Sequence, residues 1–434
     1  MENKLSLRAS IALAIYRCLH GLCMLPAFCV APILGKFFRR IEEGFNDYFG
    51  NVKIPAEMKK PVLWVHGVSM GESMVALGFA KELRKLYPQS TILFTTTHPD
   101  VVKDVKKKDI ADSIAYFPLD NYRSMNKLFN RWQPDAVFVS ETDFWPEFSN
   151  QCRQRNIPLI LINGRISSKI TSFYTRAKGL AEVVFGAFTA FAVQTRTDAD
   201  NLLEIGVPLD KIHILGNMKA DFTHTNQVDL TSVSEWLNNR KMVVFGSLHP
   251  EEFSILKPMF KKLSENNIAV IIAPRNITLA DSWKNELIKD GLSVCKKTEI
   301  KDSSIMLLDT IGELASVYKL SSVSFVGGSL DHNKTGGHNP LEVLQQEVPL
   351  LMGPYYRNFA DIVEQLKTSK GIEIIDNAEE GYYTIIKIIN TDSLSEKMIS
   401  AGNAVLNNNK GVLHKTINLV NKQLSVNREM ITDN

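Results

Sequence analysis

VLWVHGVSMGESMVALGFAKELRKLYPQSTILFTTT, residues 62–97, holds the argument for the fold. It opens with an apolar run (62–66), passes a glycine-bearing loop, continues as an amphipathic stretch and closes on a second apolar run (91–97). That is a strand, a helix and a strand, and runs apolar on both faces belong to a buried parallel sheet. The same unit repeats on the carboxyl-terminal side, through IAYFP (114–118), AVFVS (136–140), LILIN (159–163) and FAVQT (191–195). Amphipathic segments such as SMNKLFNRWQP (124–134) separate them. The pattern stops at the polar segment 222–236 and restarts with KMVVFGS (241–247), IAVIIAP (268–274), IMLLD (305–309), VSFVGGS (323–329) and PLLMG (349–353). The expectation is an α/β protein of two doubly wound domains, residues 41–224 and 225–434, with a linker near residue 225. The tail after Ser400 reads as helical and is assigned to the second domain. Ligands of open parallel sheets bind beyond the carboxyl ends of the strands, and with two such domains the ligand is expected in the cleft between them.

Composition narrows the class. The 434 residues are 44% apolar and 22% charged, which excludes a disordered or fibrous chain. Fifty Lys and Arg against 47 Asp and Glu give a net charge of +3, too little for bulk nucleic-acid binding. The five cysteines have no C-x-x-C spacing, so neither a disulfide framework nor a cysteine zinc site is expected, and unpaired thiols suit a reducing compartment. From Cys18 to Gly35 no residue is charged, whereas Lys4, Arg8 and Arg17 precede this segment and Lys36, Arg39 and Arg40 follow it. Pro26 and Pro32 are expected to interrupt a helix there. Residues 1–40 therefore read as a membrane anchor, either a short span or an interfacial helix, with a buried helix pair as the third reading. No small-residue site in this stretch reads as a signal-peptide cleavage site.

Four loops carry residues that a plain connector does not need. His66–Glu72 places Glu72 in a first helical turn, where a carboxylate favoured by the helix dipole serves as a general base or merely decorates the helix start. Ser140–Pro146 carries Glu141 and Asp143, either a second carboxylate for one reaction centre or a helix cap. Gly216–Asp221 offers Lys219 to a leaving phosphate, or to solvent. In 327–342, Asn339, Pro340 and Glu342 resemble a capping box behind four glycines, a phosphate site or a well-capped structural helix. No P-loop, no G-x-G-x-x-G after the first strand and no H-E-x-x-H occurs. Asp198-Ala199-Asp200 matches a D-x-D pattern but reads as a capped surface helix.

In order and spacing, HGVSMGE (66–72), SETDFWPEF (140–148), NGRIS (163–167), GNMKAD (216–221), APR (273–275), DTIGEL (309–314), FVGGSL (325–330), GGHNPLE (336–342) and GPYYRNF (353–359) resemble the 3-deoxy-D-manno-octulosonic acid (Kdo) transferases of lipopolysaccharide biosynthesis. The resemblance implies a GT-B fold and inverting transfer of Kdo from CMP-Kdo to a lipid A precursor (lipid IVA), at the cytoplasmic side of the inner membrane. It implies that Glu72 is the catalytic base and that Glu141 and Lys219 stabilise the transition state. It places CMP at Pro274 and Arg275, at Ile311, Gly312 and Glu313, and at Asn339, Pro340, Leu341 and Glu342. No metal and no cofactor beyond the donor is expected; the partners are CMP-Kdo, the lipid acceptor and membrane lipid. The family usually has methionine at the place of Ile311 and histidine at that of Asn276. Two other readings are a non-hydrolysing sugar-nucleotide epimerase and a catalytically silent membrane-attached scaffold.

Overall fold

A computed structural model describes residues 4–35, 39–108, 110–222, 228–330 and 335–432. The chain divides into two units, Met1–Phe222 with Gly411–Asn434, and Thr223–Lys410. The expected linker at residue 225 and the basic residue Lys36 lie outside the described residues.

The first unit holds β1 (Val62–His66), β2 (Thr91–Thr96), β3 (Ser113–Tyr116), β4 (Ala136–Ser140), β5 (Leu159–Gly164), β6 (Phe188–Val193) and β7 (Ile212–Ile214). They form one sheet in the order β3-β2-β1-β4-β5-β6-β7, paired in parallel throughout. The second unit holds β8 (Met242–Leu248), β9 (Ala269–Pro274), β10 (Val294–Lys296), β11 (Ile305–Leu307), β12 (Val323–Val326), β13 (Leu350–Met352) and β14 (Ile372–Ile374). Its sheet is also parallel, in the order β10-β11-β9-β8-β12-β13-β14. Each sheet is wound outward in both directions from a central pair, β1/β4 in the first and β8/β12 in the second. At such a pair the connections diverge to opposite faces, and the crevice left beyond the carboxyl ends is the usual ligand site of these sheets.

Burial explains the apolar runs. Every residue of β1, β2, β4 and β5 is buried, because helices cover both faces. Trp64 of β1 anchors one face, its ring edge-on to Phe129, Trp132 and Phe148 at centroid distances of 5.3, 5.4 and 5.1 Å. The second core is organised around Phe245, Phe253 and Trp283, the last two stacked at 4.2 Å. Emptying such a site, Trp64→Ala for example, costs about 3–5 kcal/mol.

The amino terminus is in part docked on the body. One helix runs Leu7–Gly35, through Pro26 and Pro32, so neither proline ends it. Each proline costs its helix one backbone hydrogen bond and bends it rather than forbidding it. The first half of this helix is docked on the first unit. Ala9 and Leu13 are buried against Val183. Ser6 donates from its backbone N–H and its hydroxyl to Glu182, at 2.8 and 2.6 Å. Tyr16 donates to the buried Asp120 at 2.8 Å, and Arg17 makes a two-pronged pair with the buried Glu147 at 2.7 and 3.0 Å. Among the described residues no helix is long and apolar enough to cross a membrane. The opposite side of the docked half nevertheless presents Leu7, Ile11, Ile15 and Leu19, spaced by four and all more than half exposed.

The carboxyl terminus also differs from expectation. Asp392–Asn408 belongs to the second unit, but the final helix, Val412–Thr432, returns to the first. Val412, Ile417, Leu419 and Val420 complete the apolar cluster that lies under β1, β2 and β4. Asp221 receives the returning chain, its carboxylate accepting the N–H groups of Gly411 at 2.5 Å and Leu413 at 2.6 Å. The amphipathic pattern of the tail shows a helix but not which core its apolar face fills.

Candidate functional site

In the first unit, the loops that follow β1 and β4 leave from the central pair of the sheet. Ser69 caps the helix Met70–Leu86, and Glu72 closes a capping box. Glu72 Oε2 accepts the N–H groups of Val68 at 3.1 Å and Ser69 at 2.9 Å, whereas Thr142 Oγ1 stands 3.5 Å from Oε1. One oxygen thus fixes the side chain at the helix start, and the other faces the Thr142 hydroxyl. Burial raises the Glu72 carboxyl above its ordinary value against the opposing Ser69 N–H, and the charges of Glu141 and Asp143 raise it further. The helix dipole alone would have favoured the ionised form; burial and two neighbouring carboxylates outweigh it.

Glu141 is buried and held in the left-handed region, φ +65°. Such a backbone persists in a non-glycine residue only where its surroundings enforce it. Here its N–H donates to the Ile162 carbonyl and its carbonyl accepts from Arg165 N–H, at 3.1 and 3.2 Å. Lys219 Nζ pairs with Glu141 Oε1 at 2.8 Å, the two side chains being 20% and 8% exposed. Asn163 joins them, its amide 3.3 Å from Glu141 Oε1 and its Oδ1 accepting Met218 N–H at 2.8 Å. Asn217 accepts from Lys219 N–H at 3.0 Å and shapes that turn. Glu72, Glu141 and Lys219, separated by up to 147 positions, are therefore parts of one cluster.

Asp143 also belongs to it, through residues that the sequence gave no reason to select. Trp64 Nε1–H donates to Thr95 Oγ1 at 2.9 Å, and that hydroxyl lies 2.8 Å from His66 Nδ1. His66 Nε2 is 2.5 Å from Asp143 Oδ2. The Thr95 carbonyl lies 3.1 Å from the same Nδ1, so the ring is held at both nitrogens, by Thr95 on one side and Asp143 on the other. Phe117 stacks on the fully buried His66 ring at 4.1 Å. By contrast, Asp198 of the D-x-D match closes a capping box with Thr195 and accepts Ile166 N–H at 2.7 Å, a structural role.

The corresponding loops of the second unit follow β8, β9, β11 and β12. Pro274 ends β9, and the exposed Arg275 is tethered by its N–H to the Leu248 carbonyl at 2.8 Å. Ile311 is 76% exposed, beside Gly312 at φ +86°. Glu313 accepts from the Thr310 hydroxyl at 2.6 Å and lies 3.5 Å from Lys297 Nζ. The capping box expected at Asn339 does not form. The helix begins at Leu341 and ends at Leu344; Asn339 Oδ1 accepts from Leu341 N–H at 3.2 Å, and Glu342 accepts from the Asn339 side-chain amide at 3.2 Å. One helical turn has little macrodipole, so a phosphate here must rely on side chains and loop N–H groups instead.

Two loops are drawn together in this unit. The buried Glu252 accepts N–H groups from His249 at 3.0 Å, Gly328 at 2.7 Å, Ser329 at 3.0 Å and Leu330 at 2.9 Å. His249 and His338 then meet, Nε2 to Nε2 at 2.9 Å, with their rings nearly parallel. Gly328, at φ +69°, lies against the His338 ring and leaves no room for a side chain. Burial, the Arg275 charge and His249 push His338 down to about 3.

Two doubly wound parallel sheets with polar loops at their central strand pairs form an architecture that resembles the GT-B glycosyltransferases. Residues 43–222 match the family model of 3-deoxy-D-manno-octulosonic-acid transferase (kdotransferase). A 3-deoxy-D-manno-octulosonic acid transferase of Haemophilus influenzae is 28% identical over 429 residues, 95% of this chain and 99% of that one. The C-terminal CMP-Kdo binding domain of WaaA from Acinetobacter baumannii is 31% identical, covering 41% of this chain and 94% of that one, with a TM-score of 0.38. UDP-GlcNAc 2-epimerase from Neisseria meningitidis shares the fold at 14% identity and a TM-score of 0.59, over 83% of this chain and 99% of that one. Over most of its length the chain is a homologue of curated Kdo transferases, and its first unit matches their family model.

Proposed function

We propose that the protein is an inverting glycosyltransferase that moves Kdo from CMP-Kdo to a lipid A precursor, lipid IVA, in lipopolysaccharide biosynthesis. The observation that carries the reading is the cluster of Glu72, Glu141, Asp143 and Lys219 beyond β1 and β4, in a homologue of Kdo transferases. Glu72 Oε1 takes the proton of the acceptor hydroxyl while that oxygen attacks the anomeric carbon from the face opposite the phosphate. The bond from carbon to phosphate oxygen breaks, and CMP leaves with the electron pair. Glu141 and Asp143 lie where positive charge on the sugar is favoured, and Lys219 keeps the carboxylates from repelling one another. Arg275 and the loops at 311–313 and 339–342 hold CMP. The scheme rests on fixed cations and invokes no metal ion.

The acceptor is an anionic lipid, and the exposed stripe Leu7, Ile11, Ile15 and Leu19 supports attachment at the cytoplasmic face of the inner membrane. Basic residues at 39 and 40 suit the same surface. The test is Glu72→Ala, assayed for transfer from CMP-Kdo generated in situ and for CMP binding. Transfer is lost and CMP binding kept; turnover at the normal rate would remove Glu72 as the base.

A further inference from the structure

The central strand pair of the second sheet carries a feature that the reading above leaves unused. His249 follows β8 and His338 follows β12, the two strands at which the winding of that sheet reverses. Their Nε2 atoms are 2.9 Å apart, so one and only one proton lies between them. A neutral pair therefore presents one further N–H, and a singly protonated pair presents two. The pair is built rather than incidental. Glu252 ties both loops to one carboxylate, Gly328 lies against the His338 ring, and the Gly337 and His338 N–H groups return to the carbonyls of Gly328 and Gly327 at 2.7 and 3.0 Å.

We propose that His249 and His338 act as one unit that receives the phosphate of the CMP leaving group and takes up a proton from solvent as it binds. The inference rests on the donor reading given above. The charged groups facing the pair decide its state. Arg275 stands beside His338, Arg357 packs over Gly336, the Glu252 carboxylate is saturated by four N–H groups, and Glu342 is held by Asn339. In the unliganded protein burial, and after it the Arg275 charge, keeps His338 neutral. An arriving phosphate offsets that charge, admits a second proton and gains a charged partner in place of a neutral one.

The experiment measures binding of cytidine, CMP and cytidine 5′-(methyl phosphate) to the full chain by calorimetry between pH 6 and 8. The methyl ester does not titrate in this range, so any pH dependence belongs to the protein. Wild-type affinity for the ester rises as pH falls, with proton uptake read from buffers of different ionisation heat. His338→Gln and His249→Gln each weaken CMP and the ester by about ten- to a hundredfold, abolish the pH dependence and spare cytidine. The double variant loses no more than either single one, as expected of a shared unit. Equal losses for cytidine, or a pH dependence that survives both substitutions, would overturn the inference while leaving the donor reading intact. A wild-type protein that ignores both CMP and its ester overturns the donor reading, and this inference with it.

Discussion

Lys219→Met offers the sharpest test of the first cluster, because it leaves the Glu141 charge buried. The lysine ammonium is 2.8 Å from a carboxylate only 8% exposed, and among the described contacts of that oxygen the Asn163 amide at 3.3 Å is the remaining donor. Removing one member of a buried pair costs about 3–5 kcal/mol, and the partial exposure of Lys219 lowers this to about 2–3 kcal/mol. For a unit of about 250 residues that corresponds to a fall in Tm of about 5–10 °C. Adding Glu141→Gln removes the stranded charge, so the double variant recovers most of the loss. It does not recover transfer, because the transition state still lacks both charges. Thermal unfolding followed by circular dichroism, alongside the transfer assay, reads both quantities. A Lys219→Met protein within 0.5 kcal/mol of the parent, or a double variant as unstable as the single, would refute the view that the pair neutralises Glu141.

Three further outcomes are expected. Glu72 works as a base only when ionised, and Asp143 raises its carboxyl; in Asp143→Asn the acid limb of the transfer profile therefore moves to lower pH, and an unmoved limb would mean that the two carboxyls do not interact. Arg275→Ala weakens CMP binding by about ten- to a hundredfold with cytidine little affected, as titration of both ligands will show. Replacing Ile11 and Ile15 by serine lowers partition onto anionic vesicles by at least about tenfold with little change in Tm, since both residues are more than half exposed; sedimentation with the vesicles measures it.

Strands buried on both faces were legible because burial imposes an unbroken apolar run. Val62–His66 and Ala136–Ser140 fall where VLWVH and AVFVS place them. Val294–Lys296 and Ile372–Ile374 were not legible: each has three residues, lies at a sheet edge and leaves no run to detect. Glu72 and Glu141 stood out as acidic residues just past a strand. His66 with Asp143, 77 positions apart, and His249 with His338, 89 apart, carry no local signal; only the sheet order brings them together. Asn163 is another such residue, reading as the last position of a strand while its side chain joins Glu141 to the loop of Lys219. The docked half of the first helix was read as part of an anchor because it leads into the uncharged run from Cys18 to Gly35, and nothing local shows Glu147 and Asp120 waiting for Arg17 and Tyr16.

The grip of Asp221 on Gly411 and Leu413 has a consequence for how this chain can evolve. Residues 223–410 leave the first unit and come back to it at a single doorway, so topologically they are a loop spliced into a smaller protein. A module mounted this way can be traded or remodelled without recutting the sheet that hosts it. The bolt on that doorway lies two positions from Lys219, so the same short turn fastens the module and places the ammonium that pairs with Glu141.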